Sequence, residues 1–170
     1  MTRTLLAAAT FAIPTALAAQ ASPGVAATRE VWRQMTDYVT RAAEQMPDGD
    51  YAFRPVATVR TFGQMIAHVA GSQRYYCAAV LGDPAPDEDA IEKAATTKAA
   101  VVTALKASTT YCERAYALTD AQAASPARAS GGSKLSFLAQ NATHDAEHYG
   151  NLVTYLRIKG MVPPSSQPRR

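Results

Sequence analysis

The chain has 170 residues, 48% of them apolar, and 17 basic against 14 acidic side chains leave a formal net charge of +3. The basic residues are scattered, apart from Arg169 and Arg170 at the end, so no patch for nucleic acid is expected. The length suits one domain with its own core, and beyond the first residues no apolar run could cross a membrane.

The chain opens MTRTLLAAATFAIPTALAAQASPG. Arg3 is a short positive region, Leu5 to Leu17 an apolar core, and Ala16–Ala18 and Ala19–Ala21 are small-residue cleavage signals. Residues 1–21 therefore read as a secretory signal peptide and its cleavage region, with an uncleaved anchor as the alternative. The mature protein is expected in the periplasm or outside the cell, free of the membrane.

The first helix is predicted from Ala27 to Met46, with Val31, Met35, Tyr38 and Ala42 on its apolar face. Pro47, Asp48 and Gly49 end it. Asp50 to Arg60 reads as an irregular flap that packs Tyr51, Phe53 and Pro55 over one end of the core. The second helix opens at Thr61, which forms a capping box with Gln64. Phe62, Met65, Ile66, Val69, Tyr76 and Val80 mark its buried side, and His68 lies on that side. Gly71 within this helix costs about 1 kcal/mol against alanine, which close packing near the histidine would explain. Gly82, Asp83, Pro84 and Pro86 form the next break.

A long third helix is expected from Asp87 to Leu118. Asp87, Glu88 and Asp89 suit its N-terminal dipole. Ile91, Ala95, Val102, Leu105, Tyr116 and Leu118 are its packing residues. Thr119 to Gly132 reads as a loop. The fourth helix runs from Ser133 or Lys134 to Lys159, where Gly160 stops it and Pro163 and Pro164 prevent resumption. The fold class is all-α, a four-helix bundle over residues 22–164 with a flexible tail, 165–170. A longer irregular crossover after the second helix would permit parallel neighbours, and helix order stays open.

An exported chain meets oxidising conditions. Cys77 and Cys112, in separate predicted helices, are therefore candidates for a disulfide; two buried apolar residues are the alternative. No histidine is near either in sequence, which argues against a catalytic thiol.

Phe137, Asn141, His144, His148, Leu152 and Tyr155 form a stripe at helical spacing, apolar at both ends. Buried imidazoles along it require hydrogen bonds or a metal. The chain has three histidines. If the second and fourth helices are neighbours, His68, His144 and His148 converge. Three neutral nitrogens with an open water position suit a catalytic zinc, and nickel, cobalt, manganese or iron also accept nitrogen-rich sites. Histidines serving only the core are the plain alternative.

The stretches HDAEHYGNLVTYLRIKGMVPPSS and FRPVATVRTFGQMIAHVAGSQRYYC resemble the DinB-like family (DinB/YfiT-like metal-dependent proteins), over about Ala27 to Pro164. The resemblance implies a four-helix bundle with a three-histidine site for one divalent metal, zinc or nickel first, at His68, His144 and His148. Proteins that this chain resembles include transferases and isomerases using bacillithiol, mycothiol or glutathione. Export would separate the chain from such cytosolic thiols and favour water as nucleophile.

HDAEH also fits the inverted zincin pattern H-x-x-E-H, with Glu147 as general base, but that class needs a further ligand well downstream. Asp145 is the candidate catalytic residue, able to accept a hydrogen bond from a ligand imidazole or to handle a proton; a surface charge is the alternative. Tyr76 and Tyr149 can offer hydroxyls or pack in the core. Arg157 and Lys159 suit the end of a helix and reach an anion only if the fold brings them to a pocket. The expected function is a metal-dependent hydrolase or transferase acting on an unidentified small molecule. The alternative is a non-catalytic metal-binding or stress-associated bundle. A homodimer stays open.

Overall fold

The computed structural model describes residues 23–128 and 131–168, and the expected signal segment lies outside them. Six α-helices follow in order: α1 Pro23–Gln45, α2 Phe62–Leu81, α3 Ala90–Ala94, α4 Lys98–Glu113, α5 Asp120–Ala123 and α6 Lys134–Ile158. Among the described residues there is no strand, only an isolated bridge between Pro126 and Ser133.

The four long helices form the bundle. Around it, α1 packs on α6, α6 on α2, α2 on α4 and α4 on α1. Helix directions follow from side-chain pairs. Phe62, starting α2, lies 6.4 Å from Tyr155 near the end of α6, and Tyr76, late in α2, lies 6.3 Å from Phe137 near the start of α6. These two helices are antiparallel. Cys77 and Cys112, late in α2 and α4, form a disulfide with Cα atoms 5.4 Å apart, so α2 and α4 are parallel. Parallel neighbours need a connection that returns along the bundle. Residues 82–97 are that crossover, and they carry α3.

The disulfide closes a 35-residue span, worth roughly 4 kcal/mol in the chain-entropy account. Two apolar clusters fill the interior. One gathers Val39, Met46, Phe62, Ile66, Leu105, Leu152 and Leu156, and the other Trp32, Val80, Tyr116, Leu138 and the disulfide. Between them lies a buried polar waist of Thr36, Ser72, Gln73, Ser108, Asn141 and Asp145.

Several boundaries differ from expectation. Helix α1 starts at Pro23 rather than Ala27. Its first donors, the N–H groups of Gly24 and Val25, bond the Asp120 carboxylate at 3.1 and 2.8 Å. A helix end left open is thus capped from nearly a hundred residues away. Val31 is exposed, and Trp32 takes the inward position, stacked on Tyr116 at 4.2 Å. The expected third helix is broken. Thr97 is extended, and its hydroxyl accepts from the Ala100 N–H at 3.2 Å, opening α4 afresh. A capping box of Thr119 and Gln122 sets α5 inside the expected loop.

At the C-terminus, Gly160 adopts φ +72° as the helix stop. Ser165 and Gln167, expected in the tail, are anchored: the Tyr149 hydroxyl donates to Ser165 Oγ at 2.8 Å, and Gln167 bonds Arg41 and Gln45.

Candidate metal centre

The capping box at Thr61 fixes the start of α2 and so the face on which His68 falls. Antiparallel packing of α6 against α2 sets His144 and His148 opposite it. Ring centroids of His68 lie 5.1 Å from His144 and 4.8 Å from His148, and those of His144 and His148 are 4.3 Å apart. One ring nitrogen from each residue lies within 4.8 Å of those of the other two. The Nε2 atoms of His144 and His148 face each other at 3.0 Å.

Burial pushes His144 down to about 3, and the His148, His68 and Arg60 charges add to the effect. His68 and His148 are lowered too, first by burial, then by Arg60 for His68 and by His68 for His148. The three rings are therefore neutral at neutral pH. Two facing Nε2 atoms share either one proton or one cation, and Nδ1 of both His68 and His144 is buried without a partner. Nitrogens bound to one metal at about 2.0–2.1 Å lie about 2.9–3.4 Å apart, which the close pair already satisfies. The residues fit a divalent ion.

The sequence profile of the DinB superfamily matches residues 31–152, a range that contains the three histidines. The chain belongs to the DinB superfamily. No curated protein matches it.

In this DinB chain the crossover roofs the histidines. Gly71 lies one turn beyond His68, and the backbone carbonyl of Glu88 occupies the space where its Cβ would stand. The close packing expected at Gly71 is thus with the crossover. The Ser72 hydroxyl donates to the Glu88 carboxylate. Further along, Arg60 Nε donates to Glu92 Oε2 at 3.0 Å, and the Arg60 carbonyl accepts from the Tyr155 hydroxyl at 2.7 Å. The roof is incomplete: His144 is half-buried, and His68 and His148 each keep 9% exposure. A cavity of about 580 Å³ adjoins Glu92, lined also by Tyr51, Gln64, Thr97 and Lys98.

The other candidates fall in different places. The Tyr76 ring lies 5.8 Å from His144, and burial raises its phenol above the usual range. Asp145 is neither a surface charge nor a partner of an imidazole. It is fully buried in the polar waist, where its Oδ2 accepts from Gln73 Nε2 at 2.9 Å. One residue along a helix turns a side chain about 100°, so Asp145 points into the bundle while His144 faces the seam with α2. Burial raises its carboxyl well above the usual range, against the bond from Gln73.

Glu147 is exposed on α6. Tyr149 stacks on Tyr38 at 5.0 Å, in the core. Lys159 pairs with Asp50 at 2.7 Å, away from the histidines. Arg60, Glu88 and Glu92 were missed in the sequence. The acidic run 87–89 was visible, but its pattern equally suits a helix start.

Proposed function

We propose that this chain is a divalent-metal-dependent enzyme, a hydrolase or transferase, acting on a small molecule outside the cytoplasm. The observation that carries the reading is the convergence of three neutral imidazoles, two with Nε2 atoms 3.0 Å apart, at a seam that still reaches solvent. His68, His144 and His148 would hold the divalent ion, which when bound would supply Lewis acidity toward water or a nucleophilic cosubstrate. The all-nitrogen set suits zinc or nickel first, then cobalt, manganese or iron.

The chain's own groups shape the rest. Burial keeps the imidazoles unprotonated and ready to bind. The Tyr76 phenol holds its proton at neutral pH, beside His144, and can donate it to a substrate oxygen. Arg60 places a positive charge near the cluster for a developing anion. The disulfide supports export, since such bonds persist in oxidising compartments. Export favours water over a cytosolic thiol as the nucleophile.

A second reading, a non-catalytic metal-binding bundle, draws on the shallow exposure of the site beneath the crossover. Apo, zinc-loaded and nickel-loaded protein, assayed on a panel of esters, amides and thiol-plus-electrophile pairs, separates the two. Turnover that needs metal and falls to the apo level in His148→Ala supports the enzyme. Fully loaded, folded protein that turns over nothing in the panel contradicts it and favours the second reading.

A further inference from the structure

His68 belongs to two groupings. Besides the other histidines, one of its ring nitrogens lies within 4.8 Å of carboxylate oxygens of Asp89 and Glu92, all within that distance of one another. Both acids are on the crossover. His68 is nine-tenths buried, and its Nδ1 has no partner.

We propose that Glu92 is a fourth protein ligand, which makes the site a centre of three imidazoles and one carboxylate with the crossover as its lid. The inference rests on the reading of the histidine trio as a metal site and adds a residue to it. Three observations select Glu92. Its side chain is only 17% exposed, whereas that of Asp89 is 53% exposed and directed toward Lys93. Arg60 Nε bonds Oε2, so Oε1 is the oxygen that Glu92 would offer to the ion beside His68. Helix α3, which carries Glu92, has no fully buried residue but rests on the apolar core through the half-buried Ile91, and this contact fixes the neighbouring Glu92 at the rim of the bundle. Polar contacts at the site add to that packing: Glu88 on Ser72 beside Gly71, and Glu92 on Arg60.

The charges agree with this role. Arg60 stands near three imidazoles that would receive a dication, an arrangement that repels the ion unless an anion accompanies it. Glu88, Glu92 and Asp89 on the crossover supply that negative charge, and Glu92 is the less exposed of the two acids grouped with His68. Glu92 would offer the ion one oxygen while Arg60 keeps hold of the other. A substrate would compete with this carboxylate for the ion, and Arg60 would retain Glu92 when it lets go.

The test uses cobalt(II) as probe in the folded, disulfide-bonded protein. Its visible absorption reports coordination number and ligand type, and competition with a chelator reports affinity. Glu92→Gln keeps size and can still accept from Arg60, and circular dichroism confirms the fold. Expected are an altered spectrum and at least about tenfold weaker retention of cobalt in Glu92→Gln, by analogy with the cost of losing partners around a metal. Asp89→Asn should keep the wild-type spectrum, and Arg60→Gln, in which the Glu92 carboxylate is still present, should differ from Glu92→Gln. A Glu92→Gln spectrum that superimposes on wild type at equal occupancy overturns the proposal and leaves the three-histidine site intact. An Arg60→Gln protein that matches Glu92→Gln also overturns it, because the pair would then act only by anchoring the crossover. Failure of wild type to take up cobalt removes both the trio reading and the proposal.

Discussion

Replacing Gly71 by alanine tests how tightly the crossover is seated. An ideal Cβ there would stand 2.0 Å from the Glu88 carbonyl oxygen, and ordinary contact begins at 3.4 Å, so the oxygen must retreat by about 1.4 Å. Two effects oppose each other. Alanine favours the helix by about 1 kcal/mol. Overpacking against backbone costs about 1–3 kcal/mol. The clash wins or nearly balances, for a net loss of about 0–2 kcal/mol. The damage is local, because α3 has no fully buried residue and is held to the core through the half-buried Ile91, so it yields before α2 does. Urea unfolding should show the small global loss. Hydrogen exchange should show faster opening of residues 83–97 and little change in α6. A variant about 1 kcal/mol more stable, with unchanged exchange in the crossover, would refute the packing argument.

Removing the disulfide as Cys77→Ala with Cys112→Ala should cost roughly 4 kcal/mol, or roughly 10 °C in Tm, measured by thermal unfolding. A loss under about 1 kcal/mol would show that the cross-link constrains little. Asp145→Asn tests the buried carboxyl through pH. Its folded pKa is raised above the ordinary 3.8 by burial, so the unfolded chain ionises first. The stability that the neutral carboxyl allows is complete below about 3.8 and is lost as pH rises through the folded value. The stability of Asp145→Asn minus that of wild type should therefore grow from about pH 4 to pH 7 in urea titrations. A difference that stays flat or falls over that range would mean that Asp145 is not held neutral.

The long helices and the three histidines were legible because each rests on local chemistry. The Thr61–Gln64 box, the Gly160 stop and the stripe from Phe137 to Tyr155 are written at helical spacing. The disulfide was legible only as a pairing of two helices in an oxidising setting. What escaped depends on contacts distant in sequence. Asp120 caps α1 from 95 residues away or more, and no local pattern announces that. Val31 and Trp32 are both apolar, and only the bundle geometry turns Trp32 inward. Asp145 reads as an ordinary helical charge until Gln73, 72 residues away, faces it in a dry interior. Thr97 was a readable cap, hidden by an alanine-rich run that looks helical throughout.

The three-histidine centre is tested most directly by metal stoichiometry, measured by plasma mass spectrometry after dialysis of wild type, His68→Ala, His144→Ala and His148→Ala. Circular dichroism confirms that each variant is folded. Near-equimolar divalent metal is expected in wild type, with its loss in all three variants, including His68→Ala, whose residue lies on a different helix from the other two. Unchanged metal content in folded His68→Ala would contradict the three-histidine centre.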